Sequence, residues 1–313
     1  MEATTTEAYP QIIQHLQDLD EQGSRVGDTR EEEFVVVRSE NPRDRFIFRE
    51  GFNLAFALQE CHAYWNGLNP GLVHRYNTQM ESYMTDGVLQ GSAYGERLRA
   101  TQGDQIRRVI KQLYEHPETR RALLVIHQPG VEDYDGKDVA CTIYLHPLLR
   151  DGKLDLIANL RSQDMLWGYP YDVQAFQWIQ EVLAGILEVD VGRYIHAMNS
   201  CHYYTEYEDQ VIESKLFEHS EPMSDCRLNA TEFGLANSML SRGLEAAREH
   251  NIEFVRFCID VLESLSDYYA DWLKVMSSYE CHRFHDDDDN ARLIAETVFI
   301  DSWHRWINDK VHG

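Results

Sequence analysis

Residues 174–187 form the most apolar helix-patterned stretch of the chain. A helix that is apolar around most of its circumference is stable only when other elements cover it on all sides. The stretch therefore predicts a central helix, and its neighbours in sequence must supply the covering layers. Strand patterns precede it at 34–37, 122–126, 139–145 and 153–160, the last introduced by a turn at Asp151 and Gly152. Helical spacing runs over 11–19 and ends at Glu21, Gln22 and Gly23. It recurs over 53–65, closed by Asn66 and Gly67, and over 103–115, stopped at His116 and Pro117. Residues 1–10 read as a frayed end, Pro42 marks a turn before 45–49, and 128–138 is a loop rich in Gly, Pro and acids. Beyond about residue 212 the pattern is almost wholly helical up to Trp306. The fold class expected is α+β. A body over 11–210 precedes a helical C-terminal extension over 211–313, packed on the same body.

Charge narrows the partners. The chain holds 29 Lys plus Arg against 53 Asp plus Glu, a formal net charge of −24. Such a field repels nucleic acid and anionic membrane, yet leaves room for one phosphate held by a few converging arginines. No apolar stretch approaches the roughly 18 residues of a membrane span, and no N-terminal signal pattern is visible. The six cysteines (61, 141, 201, 226, 258 and 281) lack CxxC spacing and disulfide-scaffold density, which predicts a reduced, cytoplasmic protein. Asp286 to Asp289, with His282 and His285 nearby, reads as a solvated acidic loop, because consecutive acids do not point at one ion. No metal is expected. Trp303 and Trp306 read as a helix face packing on the body or on a dimer mate.

The residues that could carry chemistry gather between Cys141 and Tyr204. Cys141 opens a strand, and Arg161 and Ser162 follow twenty residues later. Next come Asp164, an aromatic turn from Trp167 to Asp172, and finally His202 and Tyr204. A thiol becomes an effective nucleophile when a neighbouring cation lowers its pKa. Arg161 is the candidate cation, and it also suits a phosphate. Taken singly, each residue has a structural reading as well: a buried Cys, a surface Arg, a packed His.

Together they resemble the thymidylate synthase superfamily. Arg161, Ser162 and Asp164, with Gly168, Pro170 and Asp172 after them, resemble that family's Arg-Ser-x-Asp and Gly-x-Pro-Phe-Asn segments. Ile195, His196, His202 and Tyr204 resemble its Ile-His-x-x-x-x-x-His-x-Tyr, without a gap relative to Cys141. Arg120 and Arg121 resemble the pair that each subunit lends to its partner. Tyr94-Gly95 and Glu60 followed by Gly67 resemble further motifs, and the resemblance covers roughly 11–210. It implies that Cys141 adds to carbon 6 of a pyrimidine nucleotide whose carbon 5 then takes a one-carbon unit from 5,10-methylenetetrahydrofolate. Arg161 and Ser162 would hold the phosphate with Arg120 and Arg121 of the other subunit of a homodimer, since bidentate guanidinium suits phosphate. Arg25, with Arg30 and Arg38 as rivals, would add a further phosphate contact. His202 and Tyr204 would bind the sugar, Asp164 the pterin, and Glu60, with Tyr94 beside it in the catalytic set, would organise water and protons.

Departures from that pattern point to the cytidylate (CMP or dCMP) 5-hydroxymethylases. Asp172 stands where synthases carry the uracil-reading Asn, and a protonated carboxyl can donate to cytosine nitrogen 3 while accepting from the 4-amino group. The same Asp also suits a helix N-cap before Val173. Near Met80 a shielding Trp is missing, which would let water capture the exocyclic methylene. Thr142 replaces the His that follows the nucleophile. Ala175 replaces a Ser, which leaves room for a ribose 2′-hydroxyl and favours CMP over dCMP. The alternatives are a dCMP hydroxymethylase or a thymidylate or dUMP-modifying synthase, with a non-enzymatic nucleotide-binding homologue the least supported.

Overall fold

Order begins at the first residue, where the sequence suggested fraying. The structure is a computed structural model and describes residues 1–312 except 48, 50, 69–70, 87–88, 102, 133–134 and 214–221. The Met1 amine donates to the Val36 carbonyl at 2.8 Å and the Ala3 amide to that of Arg38 at 3.1 Å. Helix α1 then runs Thr5–Gln17, started by a capping box of Thr4 and Glu7. Tyr9 is buried and stacks on Tyr169. Short polar residues at 1–10 were thus cap and first turn, a role that composition alone does not separate from disorder.

Strands β1 (Gln22–Gly23) and β2 (Asp28–Ser39) follow, then α2 (Leu54–Asn66), α3 (Gly71–His74) and a 3-10 turn at Thr78–Tyr83. Helices α4 (Tyr94–Arg99) and α5 (Gln105–Glu115) lead to β3 (Leu124–Val125), β4 (Thr142–Arg150), β5 (Lys153–Leu160) and β6 (Gln163–Asp164). Helix α6 (Tyr169–Ile186), strand β7 (Asp190–Tyr204) and α7 (Glu208–Glu213) close this part. Gly67 caps α2 at φ 65°, and a Cβ there would stand 2.7 Å from Arg99 Cβ, so turn and packing both demand glycine.

The sheet order is β1-β2-β7-β5-β4-β3, with β6 also pairing β7. β5 and β7 are parallel, so α6 is their crossover helix. That explains its sequence: the sheet lies on one side, and on the other α2 presents Trp65 edge-on to Trp178 at 6.1 Å. Sixteen of its eighteen residues are buried. Strand β7 was missing from the sequence reading. Gly192, Arg193, His196 and Asn199 interrupt its alternation, and its place between β2 and β5 is a tertiary fact.

The chain divides into two compact units, Met1–Glu218 and His219–Gly313. The second consists of α8 (Ala230–Arg248), α9 (Ile252–Glu263), α10 (Asp267–His285), α11 (Asp288–Ala295) and α12 (Asp301–His312). Trp303 and Trp306 pack inside it, against Tyr268 at 5.1 Å and Tyr279 at 5.8 Å, which corrects their reading as a face for the body or a mate. The acidic run is likewise no loop. Asp286 ends α10 with left-handed geometry, Asp287 caps α11, and Asp288 and Asp289 lie in its first turn. Among the described residues no helix is long and apolar enough to cross a membrane.

Candidate active site

Cys141 sits immediately before β4, and the chain on both sides of it is pinned. The Ala140 amide donates to Glu132 Oε2 at 3.2 Å, and the Thr142 amide to the Tyr94 hydroxyl at 3.2 Å. Glu132 is itself buried against Arg97, which also donates to the Ile126 carbonyl at 2.9 Å. Arg161, just past β5, donates through Nε to the Ala140 carbonyl at 3.0 Å and through Nη2 to the Val139 carbonyl at 2.9 Å. The same Nη2 stands 3.7 Å from Cys141 Sγ. The predicted cation is therefore beside the thiol. It does not prevail, however: burial pushes the thiol up to about 11, with Arg161 opposing and Asp172, Asp138 and Asp164 adding to the rise.

Asp172 lies close enough to this thiol to raise it, and Glu60 lies close to Asp172. Glu60, on α2, is raised to about 8 by burial and then by Asp172, against a hydrogen bond from the Tyr64 hydroxyl at 2.9 Å. Asp172, on α6, is raised to about 7 by burial, against a hydrogen bond from Gln163 Nε2 at 3.0 Å. Asp172 is not the N-cap, since Gly168 holds that position, and the capping explanation for its identity falls away. The Tyr171 hydroxyl accepts from the Asn53 amide at 3.1 Å, tying the starts of α2 and α6 together. Burial holds Tyr94 well above its usual range, with Asp172 and Cys141 adding to the rise, so it remains a phenol.

On the other side of the thiol, Asp164 Oδ1 accepts from the amides of Leu166 at 2.6 Å and Trp167 at 2.9 Å. Burial raises this carboxyl, while His202 and Arg49 oppose the rise. His202 is buried, with its ring edge-on to Tyr204 at 5.3 Å. Tyr204 is pushed up to about 12 by burial and by Asp164, against the pull of Arg25. Arg25 lies in the β1–β2 turn. Of its rivals, Arg30 is bound to Glu208 at 2.8 Å and Arg38 pairs with Glu2 at 3.6 Å. Ser162 is half-buried directly after Arg161, and Ala175 is buried one turn beyond Asp172.

Met80 is half-buried in the 3-10 turn. That turn also carries Tyr83, close enough to Asp164 and Cys141 for both to raise its hydroxyl. Tyr83, Gln163 and His196 were given no role from the sequence: Gln163 is the variable position of Arg-Ser-x-Asp, His196 entered only as part of a matched motif, and nothing in its spacing ties Tyr83 to Cys141. Thr142 is fully buried, and its hydroxyl has no hydrogen-bond partner among the described residues. Arg120 and Arg121 are exposed in the segment between α5 and β3. The backbone of Arg120 contacts His146, further along β4 than the Cys141 end, so the first unit does not bring this pair to the thiol. In the second unit, His250, Cys281 and Asp287 place ligand atoms within 4.8 Å of one another. Asp287 there is already engaged, accepting from the Asn290 amide through Oδ1 and pairing with His250 through Oδ2.

The family model for thymidylate synthase matches residues 39–240. Deoxyuridylate hydroxymethyltransferase of Bacillus phage SP01 is 32% identical over 212 residues, 62% of this chain and 55% of that protein. Thymidylate synthase of Bacillus licheniformis is 32% identical over 148 residues, 44% of this chain and 52% of that protein. The chain thus spans about half the length of the curated relatives it matches. The crystal structure of thymidylate synthase from T4 phage aligns with a TM-score of 0.57 over 69% of this chain and 82% of that one, at 20% identity. The likeness establishes the fold: a mixed sheet with helices and a helical C-terminal region. None of these names is that of a cytidylate enzyme.

Proposed function

The chain belongs to the thymidylate synthase family, and on that premise we propose that it hydroxymethylates carbon 5 of a pyrimidine nucleotide. The observation that carries this reading is Arg161 bound across the start of β4 with Cys141 Sγ 3.7 Å away, close to Asp172, which with its neighbour Glu60 is raised toward neutrality. Cys141 adds to carbon 6 of the ring, and its thiol proton leaves as the carbon–sulfur bond forms. Protonated Glu60 and the Tyr94 phenol are placed to give or take protons around the ring. Arg161 and Ser162 hold the nucleotide phosphate, with Arg25 approaching beside Tyr204 and with His202 and Tyr204 on the sugar. 5,10-Methylenetetrahydrofolate supplies the one-carbon unit. Asp164 suits its pterin: one oxygen is taken by two backbone amides, and Oδ2 has no hydrogen-bond partner among the described residues. Tetrahydrofolate and the carbon-5 proton would then leave, and water would add to the resulting exocyclic methylene on the side of Met80, which Tyr83 borders. Cys141 would depart from carbon 6 to restore the ring.

The enzyme is a homodimer in this reading. The sheet face turned away from α6 carries two cross-strand rows, Tyr144-Asn159-Ala197-Val36 and His146-Ile157-Ile195-Arg38. Tyr144, His146, Ile157, Ile195 and Val36 are only half-buried there, which supports a second copy covering the face. Arg120 and Arg121 would then serve the partner's phosphate.

Asp172 favours cytosine, because a carboxyl near half-protonation offers both the donor and the acceptor that the cytosine edge needs. Ala175 favours a ribose, hence CMP over dCMP. The phage SP01 relative supports a second reading, in which the base is uracil. A panel of CMP, dCMP, UMP and dUMP with methylenetetrahydrofolate, products identified by mass, decides between them. Hydroxymethylated CMP is expected as the main product, none in Cys141→Ser, and a cytosine-to-uracil ratio about tenfold to a hundredfold lower in Asp172→Asn. Preference of the unaltered enzyme for dUMP or UMP overturns the cytosine reading, and a methylated product overturns hydroxymethylation.

A further inference from the structure

A hydrogen-bonded chain of three buried side chains ends on Asp172. The Tyr194 hydroxyl lies 2.6 Å from His196 Nδ1, His196 Nε2 lies 2.8 Å from Gln163 Oε1, and Gln163 Nε2 donates to Asp172 Oδ2 at 3.0 Å. All three of Tyr194, His196 and Gln163 are buried. Tyr194 and His196 lie on β7 and Gln163 on β6. The aromatic turn makes room for the relay. A Cβ at Gly168 would stand 2.5 Å from Gln163 Nε2 and 2.9 Å from the Asp164 carbonyl, so only glycine lets the amide reach the carboxyl.

The polarity of this chain follows from its Asp172 end. Burial holds the Tyr194 phenol well above its usual range and His196 down at about 3, so the phenol keeps its proton and the imidazole carries a single N–H. Gln163 Nε2 donates to Asp172 Oδ2, so its Oε1 accepts from an N–H on His196 Nε2, and Nδ1 accepts from the Tyr194 hydroxyl. Reversing the chain requires the amide to rotate and the imidazole to change tautomer together.

We propose that Tyr194, His196 and Gln163 act as a specificity relay that marks Asp172 Oδ2 as the acceptor oxygen and leaves the carboxyl proton to Oδ1. This rests on the reading of Asp172 as the group that recognises the base. A carboxyl so polarised presents one donor and one acceptor in a fixed order, which matches the ring nitrogen and 4-amino group of cytosine. Uracil offers the opposite order and would have to overturn the whole relay. Gln163, His196 and Tyr194 are positioning residues here: they act on the base only through Asp172.

Two variants of the full chain test this, Gln163→Leu and Tyr194→Phe, each compared with the unaltered protein by two measurements. The first is the ratio of kcat/KM for CMP to that for UMP. It should fall about tenfold in Gln163→Leu and about threefold in Tyr194→Phe, mostly through KM. The second needs no nucleotide: the 13C-carboxyl titration of Asp172 by NMR, assigned against Asp172→Asn. Its midpoint should rise in Gln163→Leu, since the amide donor supports the ionised form. An unchanged midpoint in Gln163→Leu overturns the relay, as does an unchanged ratio in both variants. If the unaltered enzyme prefers UMP, the base reading fails by itself, and the titration still decides whether the relay controls Asp172.

Discussion

Asp172 and Glu181 are carried by the same helix, about two and a half turns apart; Glu181 is buried and Asp172 half-buried. Glu181 is gripped by Arg43 Nε at 2.7 Å and by the fully buried Arg45 Nη1 at 2.6 Å. Asp172 has no cation among its described partners, only the amide of Gln163, and the neighbouring carboxyl of Glu60 faces the same space. The first arrangement satisfies a charge and locks α6 to the segment around 43–45. The second leaves Glu60 largely protonated and Asp172 about half-protonated at neutral pH, able to donate as well as accept. A buried ion pair suits a scaffold, because its value depends on nothing entering. A buried neutral acid suits a site, because a ligand completes its hydrogen bonds.

The largest expected effect breaks the scaffold end. Arg45→Met removes the fully buried partner of Glu181, and removing one partner of a buried pair costs about 3–5 kcal/mol. Urea denaturation should show that loss equally at pH 6 and pH 8, and a loss confined to one of the two would mean the pair titrates like the site.

A smaller, opposite effect sharpens the site end. Glu60 ionises near 4.5 when unfolded and at about 8 in the folded protein. The folded state therefore holds this proton more tightly, and stability falls as pH rises from 4.5 toward 8. Glu60→Gln removes that dependence. Relative to the unaltered protein it should be about 1–3 kcal/mol more stable at pH 8 than the same comparison gives at pH 5. An identical difference at both values would show that Glu60 is ionised in the folded state.

The smallest effect concerns the thiol. With its pKa near 11, alkylation of Cys141 by iodoacetamide, followed by peptide mass, should quicken about tenfold per pH unit between 7 and 9. Arg161→Met should slow it only about threefold. A flat profile would place Cys141 with Glu181, as a charge already compensated, and not with Glu60 and Asp172.

Sequence alone determined a good deal here. Residue order and spacing from Cys141 to Tyr204 carried the family resemblance, and the apolar run at 174–187 located the central helix, because both signals are local. The strand at 153–160 was legible from its alternation and the Asp151-Gly152 turn. Tertiary structure decided the rest. The sequence could not reveal β7, whose polar residues are tolerated by pairing on both sides, nor the ordered start of α1, which depends on contacts with β2 and Tyr169. It named Arg161 as the cation for Cys141 but not the burial and the three acids that oppose it, since that balance is a sum over space. Gln163 looked like filler between Ser162 and Asp164. Only the pairing of β6 with β7 brings it under His196 and against Asp172, because hydrogen-bond direction is set by neighbours distant in the chain.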